Sequence, residues 1–157
     1  MAQRSVAHMV LDKAMILIAH RGNIHGRNEA RENTKAYALE ALEQGYNVEL
    51  DVWFTGKLWL GHRKPKEQIE LEFLQRPGIW CHAKNIKTLQ YLLGEKLHCF
   101  YHDSDLATLT SRGYVWIHSG HVYEGTICVL PEIITASDAV KYCTGICSDN
   151  IEKYRNI

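Results

Sequence analysis

Short apolar runs rich in β-forming residues recur along the chain, separated by amphipathic or turn-forming segments. The runs read Met15–Ala19, Asn47–Phe54, Leu58–Leu60, Ile79–Cys81, Cys99–Tyr101, Tyr114–Ile117, Thr126–Leu130 and Thr144–Cys147. Between the first two, Thr34–Gln44 carries Tyr37, Ala41 and Leu42 at helical spacing, with Gly45 as a stop signal. Glu67–Leu74, Ile86–Leu93 and Ser137–Tyr142 are expected as further short helices, and Asp103–Ser111 as another. Alternating strand and helix patterns predict an α/β fold on a parallel sheet. No low-complexity linker divides the chain, so residues 1–157 are expected to form a single domain.

An ionisable residue sits in or just after nearly every apolar run. His20 follows the first, Glu49 and Asp51 lie within the second, and His62 follows the third. His82 and Lys84, His102, His118, Glu132 and Asp149 occupy the same position after later runs. In a closed or nearly closed parallel barrel these ends converge on one rim, where α/β-barrel enzymes keep their active sites. Glu49 and Asp51 are two apart and point to one face of their strand, while Val48, Leu50 and Val52 point to the other. If helices cover the apolar face, the carboxylate face points inward. Two buried carboxylates need neutralising, and a divalent cation is the usual solution. The competing reading is a solvent-facing strand edge, with each histidine a packing residue. His98, His118 and His121 carry no assignable chemistry at this level, and His8 and His25 are expected to be exposed.

Charge narrows the function classes. Eighteen Lys and Arg balance eighteen Asp and Glu, and the isoelectric point near 7.1 argues against an electrostatic nucleic-acid binder. Apolar content of 46% excludes a disordered chain. Arg4, His8, Asp12 and Lys13 interrupt the opening segment, so no signal peptide or membrane anchor is expected. Of five cysteines, Cys81, Cys99 and Cys128 lie in apolar runs and read as small hydrophobes. Cys143 and Cys147 have a C-x3-C spacing with no second pair to complete a zinc site. Structural cysteines and a reducing, cytoplasmic setting are the default expectation.

Several pieces together carry a family resemblance. They are His20-Arg21-Gly22 after the first run, Glu32-Asn33-Thr34 opening the first helix, Gly45, the Glu49-x-Asp51 pair, and His62 after the short hairpin ending LWLGH. In order, spacing and placement, Ile16 to His62 resembles the glycerophosphodiester phosphodiesterase family, among the phospholipase C-like phosphodiesterase barrels. His82-Ala83-Lys84-Asn85 resembles the family's third strand, usually Glu-x-Lys, and Gly145–Asn150 resembles its last.

The resemblance implies metal-dependent hydrolysis of a small-molecule phosphodiester. His20 and His62 would be general acid and base, one activating the attacking hydroxyl and the other protonating the leaving alkoxide. Arg21 would hold a phosphate oxygen, with Lys84 adding a second positive charge. Glu49 and Asp51 would bind Mg²⁺ or Ca²⁺. Glu32 is carried over as a site residue without a stated role, while Asn33 and Thr34 also read as a helix start.

Three departures shape the expectation. His82 stands where the family has its third carboxylate ligand, which shifts the site toward Mn²⁺ or Zn²⁺. Arg63 follows His62 where the family has Asp, leaving His62 without an orienting carboxylate but adding a charge for phosphate. Finally, a full barrel needs about 250 residues. The expected fold is therefore a shortened TIM-like barrel of seven or eight mostly parallel strands with several helices missing. A homodimer would cover the apolar surface thus exposed. Two other readings stand beside the enzyme: a degenerate barrel that binds phosphate esters without turnover, and an unrelated structural α/β protein. Glycerophosphodiesters come first as substrate, with lysophospholipids or cyclic phosphodiesters behind. Basic residues in the loops Asn23–Arg31 and His62–Gln68 suit an anionic head group, or are simply a solvated surface.

Overall fold

The computed structural model describes residues 14–134 and 138–157. Arg4, His8, Asp12, Lys13 and Ser137, named above, lie outside them. The fold is mixed α/β, a ten-stranded sheet with few helices. Strand β1 spans Ile16–His20, β2 Asn47–Phe54, β5 Ile79–Ala83 and β6 Cys99–Tyr101. Strand β8 spans Val115–Ile117, β9 Ile127–Val129 and β10 Gly145–Ser148. These seven pair in parallel in the order β6, β5, β2, β1, β10, β9, β8. Three short strands are antiparallel: β3 (Leu58–Leu60) on the end of β2, β4 (Glu67–Ile69) on β3, and β7 (Ala107–Leu109) on β8.

One face of the sheet is apolar and covered by helices. Val48, Leu50 and Val52 are fully buried there, packed with Ala38 and Ala41 of α1 (Lys35–Glu43) and Leu92 of α3 (Ile86–Gly94). Thr34 caps α1 by accepting from the Tyr37 amide, and Asn85 caps α3 by accepting from the Thr88 amide. The other face carries a second core. Ile18, Trp80, Phe100, Trp116, Ile127 and Cys147, from six different strands, pack together with Val129. The Phe100 and Trp116 rings lie 4.3 Å apart and Trp80 sits 6.0 Å from Trp116. The outer side of β6 is also engaged. Cys99 O accepts from the Ser111 amide at 2.8 Å, and Tyr101 O accepts from the Thr108 hydroxyl at 2.9 Å.

Several elements differ from expectation. Glu67–Leu74 splits into strand β4 and a single helical turn, α2 (Leu71–Leu74). The physical reason is the hairpin partner: β3 offers a free edge that a lone helical turn cannot satisfy. Asp103–Ser111 likewise contains strand β7 because β8 supplies a ladder for it. Asp138–Tyr142 is 3₁₀ rather than α-helical. No helix lies between β8 and β9, although they pair in parallel, so a loop replaces the crossover. Cys128 and Cys143 are joined in a disulfide, while Cys81, Cys99 and Cys147 are free and buried. That corrects the reading of Cys128 as a small hydrophobe with a free thiol. It also removes the cysteine argument for a reducing compartment. No described helix is long and apolar enough to cross a membrane.

Candidate functional site

The ionisable residues after the parallel strands gather at the C-terminal end of the sheet. Glu49 and Asp51, each 1% exposed, lie on the face of β2 that also bears the aromatic core. Register places Asp51 beside His82 on β5 and Glu49 beside His20 on β1. His82 Nδ1 is 3.5 Å from Glu49 Oε1 and 3.2 Å from Asp51 Oδ1. Glu49, Asp51 and His82 each offer a ligand atom within 4.8 Å of the others, the one such group of three among the described residues. Two carboxylates and an imidazole fit a divalent ion, and the nitrogen ligand favours Mn²⁺ or Zn²⁺ over Mg²⁺ or Ca²⁺.

Two further cations meet Asp51. Lys84 Nζ is 3.1 Å from Asp51 Oδ1 and Arg21 Nε is 3.2 Å from Asp51 Oδ2. Burial alone would raise the Asp51 carboxyl. Hydrogen bonds with His62 and His82, then the charges of Lys84 and His82, outweigh it and hold the group well below the carboxylate range. His82 is the counterpart. Burial opposes its charging, but hydrogen bonds and charge from Asp51 and Glu49 push its pKa up to about 9.

Each outer histidine is backed by a carboxylate. His20 Nδ1 lies 2.7 Å from Asp149 Oδ1, and its Nε2 lies 3.8 Å from Glu49. Burial works against the His20 cation, yet the Asp149 hydrogen bond and the Glu49 charge raise its pKa above the ordinary value. His62 Nδ1 lies 3.0 Å from Asp51 Oδ2, and its Nε2 is 3.4 Å from Arg21 Nη2. The expectation that His62 lacks an orienting carboxylate is therefore corrected: Asp51 on the neighbouring strand supplies it. Arg21, at φ +55°, donates its amide to Glu49 Oε2 at 3.2 Å, so its strained backbone faces the same cluster. Glu32, without a role in the sequence reading, accepts from Arg21 Nη1 at 3.4 Å and from Asn23 Nδ2 at 2.9 Å.

Three site residues were missed as such. In the sequence Asp149 stands out only by following an apolar run, within the Gly145–Asn150 segment of the resemblance. Asn23 donates to Asp149 at 2.8 Å as well as to Glu32, linking the two. Asn33, read as part of a helix start, is buried and exchanges two 2.9 Å hydrogen bonds with Asp51, through Nδ2 to Oδ2 and from the Asp51 amide to Oδ1. Its φ of +55° is one that Asn tolerates. The signal available was the pairing of an αL-tolerant Asn with a capping Thr. His102 and His118 also meet, Nε2 to Nδ1 at 3.2 Å, beyond His82. Burial, then the charges of His118 and His82, lowers the His102 pKa.

A cavity of about 430 Å³ opens on the His62 side of this cluster, lined by Arg21, Asn33 and residues 61–64 among others. His25 is exposed and paired with Glu152. Comparison with models of protein families, with curated proteins and with solved structures found no match.

Proposed function

We propose that this chain is a metal-dependent phosphodiesterase acting on a glycerophosphodiester-type substrate, on a sheet curled into a shortened barrel. The hydrogen bonds between the outer side of β6 and residues 108–111, and the core shared by six strands, support the curled sheet. One observation carries the chemistry. Two histidines, each with its Nδ1 held by a carboxylate, flank an arginine above a Glu-Asp-His cluster whose carboxylates are buried. That arrangement serves a reaction needing one proton accepted and one donated around a phosphate.

Glu49, Asp51 and His82 would hold the ion, which when bound polarises the phosphoryl oxygens and offsets developing charge. The chain's own groups do the rest. Arg21, clamped by Glu32 and Asp51, is fixed to take a non-bridging oxygen. Asp149 and Asp51 set the tautomers of His20 and His62, leaving each Nε2 to handle a proton. Asn33 holds Asp51 in place for both tasks. Phe100, Trp116 and Trp80 keep water from the floor below. In the reaction a hydroxyl oxygen bonds to phosphorus, losing its proton to one histidine. The ester bond to the leaving oxygen breaks, and that oxygen takes a proton from the other.

The test is hydrolysis of a glycerophosphodiester panel by purified protein with Mg²⁺, Ca²⁺, Mn²⁺, Zn²⁺ or EDTA, beside His20→Ala and Glu49→Ala. Metal-dependent turnover lost in both variants is the expected result. The second reading, a barrel that binds phosphate esters without turnover, draws on the His82 cation that bridges both carboxylates. It predicts Arg21-dependent binding and no hydrolysis with any metal.

A further inference from the structure

The cavity beside His62 has walls of unequal charge commitment. Its two carboxylates are already taken. Glu29 pairs with Arg27 at 2.9 Å, and Glu32 accepts from Arg21, Arg27 and Asn23. Lys66 is taken too, donating to the Ala30 and Glu32 carbonyls at 3.1 Å and so tying the 61–66 loop to the 27–33 loop. Arg63 and Lys64 line the same cavity, are exposed, and meet no carboxylate within ion-pair distance among the described residues.

Their position is built rather than incidental. The chain doubles back after β3: Gly61 N donates to Asp51 O at 3.1 Å and Lys66 N to Leu60 O at 2.8 Å. Gly61 has φ +150°, and a Cβ there would lie 2.1 Å from the Lys64 carbonyl oxygen. Only glycine permits this turn, which presents Arg63 and Lys64 beside the His62 ring.

The two histidines differ in surroundings. His20 is 11% exposed between Asp149 and Glu49 and does not line the cavity, whereas His62 is 42% exposed and does. A leaving alcohol needs a route out, and the cavity at His62 provides it. Two uncommitted cations beside that route match a dianion.

We propose that the leaving group is an alcohol that itself bears a phosphomonoester, bound by Arg63 and Lys64 as it departs. This rests on the phosphodiesterase reading and assigns its two histidines. His20 takes a proton from the attacking water as its oxygen bonds to phosphorus. The bond from phosphorus to the leaving oxygen breaks with its electron pair on that oxygen, and His62 protonates it. The products are a phosphomonoester and a phosphorylated alcohol.

The experiment compares kcat/KM for glycerophosphoglycerol and for its analogue phosphorylated on the leaving glycerol, in wild type and in Arg63→Ala/Lys64→Ala. Calorimetry measures glycerol 3-phosphate binding to the same proteins and to Glu49→Gln. The expected result is a preference of about tenfold or more for the phosphorylated diester, collapsing toward one in the double variant. Glycerol 3-phosphate binding should weaken in the double variant and persist in Glu49→Gln. A wild-type ratio near one, or a ratio unchanged in the double variant, overturns the proposal. If neither diester is hydrolysed but glycerol 3-phosphate binds through Arg63 and Lys64, the anion subsite stands and the phosphodiesterase reading alone fails. Circular dichroism checks that the double variant is folded, which its exposed side chains lead one to expect.

Discussion

Adding a divalent ion is the most direct perturbation of the Glu49–Asp51–His82 cluster. Without metal, Asp51 is paired with His82, Lys84 and Arg21, and Glu49 with His82 and His20. With metal, binding to the folded state alone adds RT ln(1 + [L]/Kd), about 2.7 kcal/mol at a hundredfold excess over Kd. The ligands come from β2 and β5, two strands that are not consecutive in the chain, so the unfolded state offers no comparable site. For a chain of 157 residues each kcal/mol moves the melting temperature by about 3 °C. The expected rise is therefore about 8 °C. Thermal denaturation of untagged protein in EDTA and in millimolar Mn²⁺, Zn²⁺, Mg²⁺ or Ca²⁺ measures it. The order should follow the mixed ligand set, with Mn²⁺ or Zn²⁺ above Mg²⁺ or Ca²⁺. His82→Glu should reverse that order by restoring an all-oxygen set. Glu49→Gln and Asp51→Asn should each abolish the rise, whatever their own metal-free melting temperature. No rise with any of the four ions, or an equal rise in Glu49→Gln, would refute the reasoning.

His98 gives a pH prediction away from the site. Burial, then the charge of Arg112, lowers its pKa to about 4, and it packs 4.0 Å from Trp80. Because the folded pKa lies below the unfolded value, its stabilising contribution is full above pH 6.5 and is lost as the pH falls toward 4. A shift from 6.5 to about 4 corresponds to about 3 kcal/mol, and His98→Gln should flatten this part of a urea-denaturation profile. A profile equally steep in the variant would sink the assignment. Gly61→Ala should cost at least about 2 kcal/mol from the positive φ and the Lys64 overlap, and should weaken glycerol 3-phosphate binding; unchanged melting and binding would contradict the turn geometry. Thiol titration of the denatured, unreduced protein should find three free cysteines out of five, with five after reduction. Five before reduction would rule out the Cys128–Cys143 pair.

Much of the strand pattern was legible in the sequence because apolar runs bury regardless of their partners. The two-residue spacing of Glu49 and Asp51 likewise fixes a common face in any strand, and His20, Arg21, His62 and His82 follow apolar runs that mark the strands. Pairing is another matter. Whether Ala107–Leu109 extends or coils depends on the free edge of Val115–Ile117, which its own residues do not encode. The carboxylate behind His62 comes from Asp51 eleven residues earlier, and the one behind His20 from Asp149, 129 residues later. The Cys128–Cys143 link and the hydrogen bonds of Asn33 to Asp51 depend in the same way on how the chain returns to itself. Local composition determines which residues are apolar, charged or able to turn. Only the sheet order decides which charges meet, because electrostatic and hydrogen-bond partners are chosen by distance in space rather than along the chain.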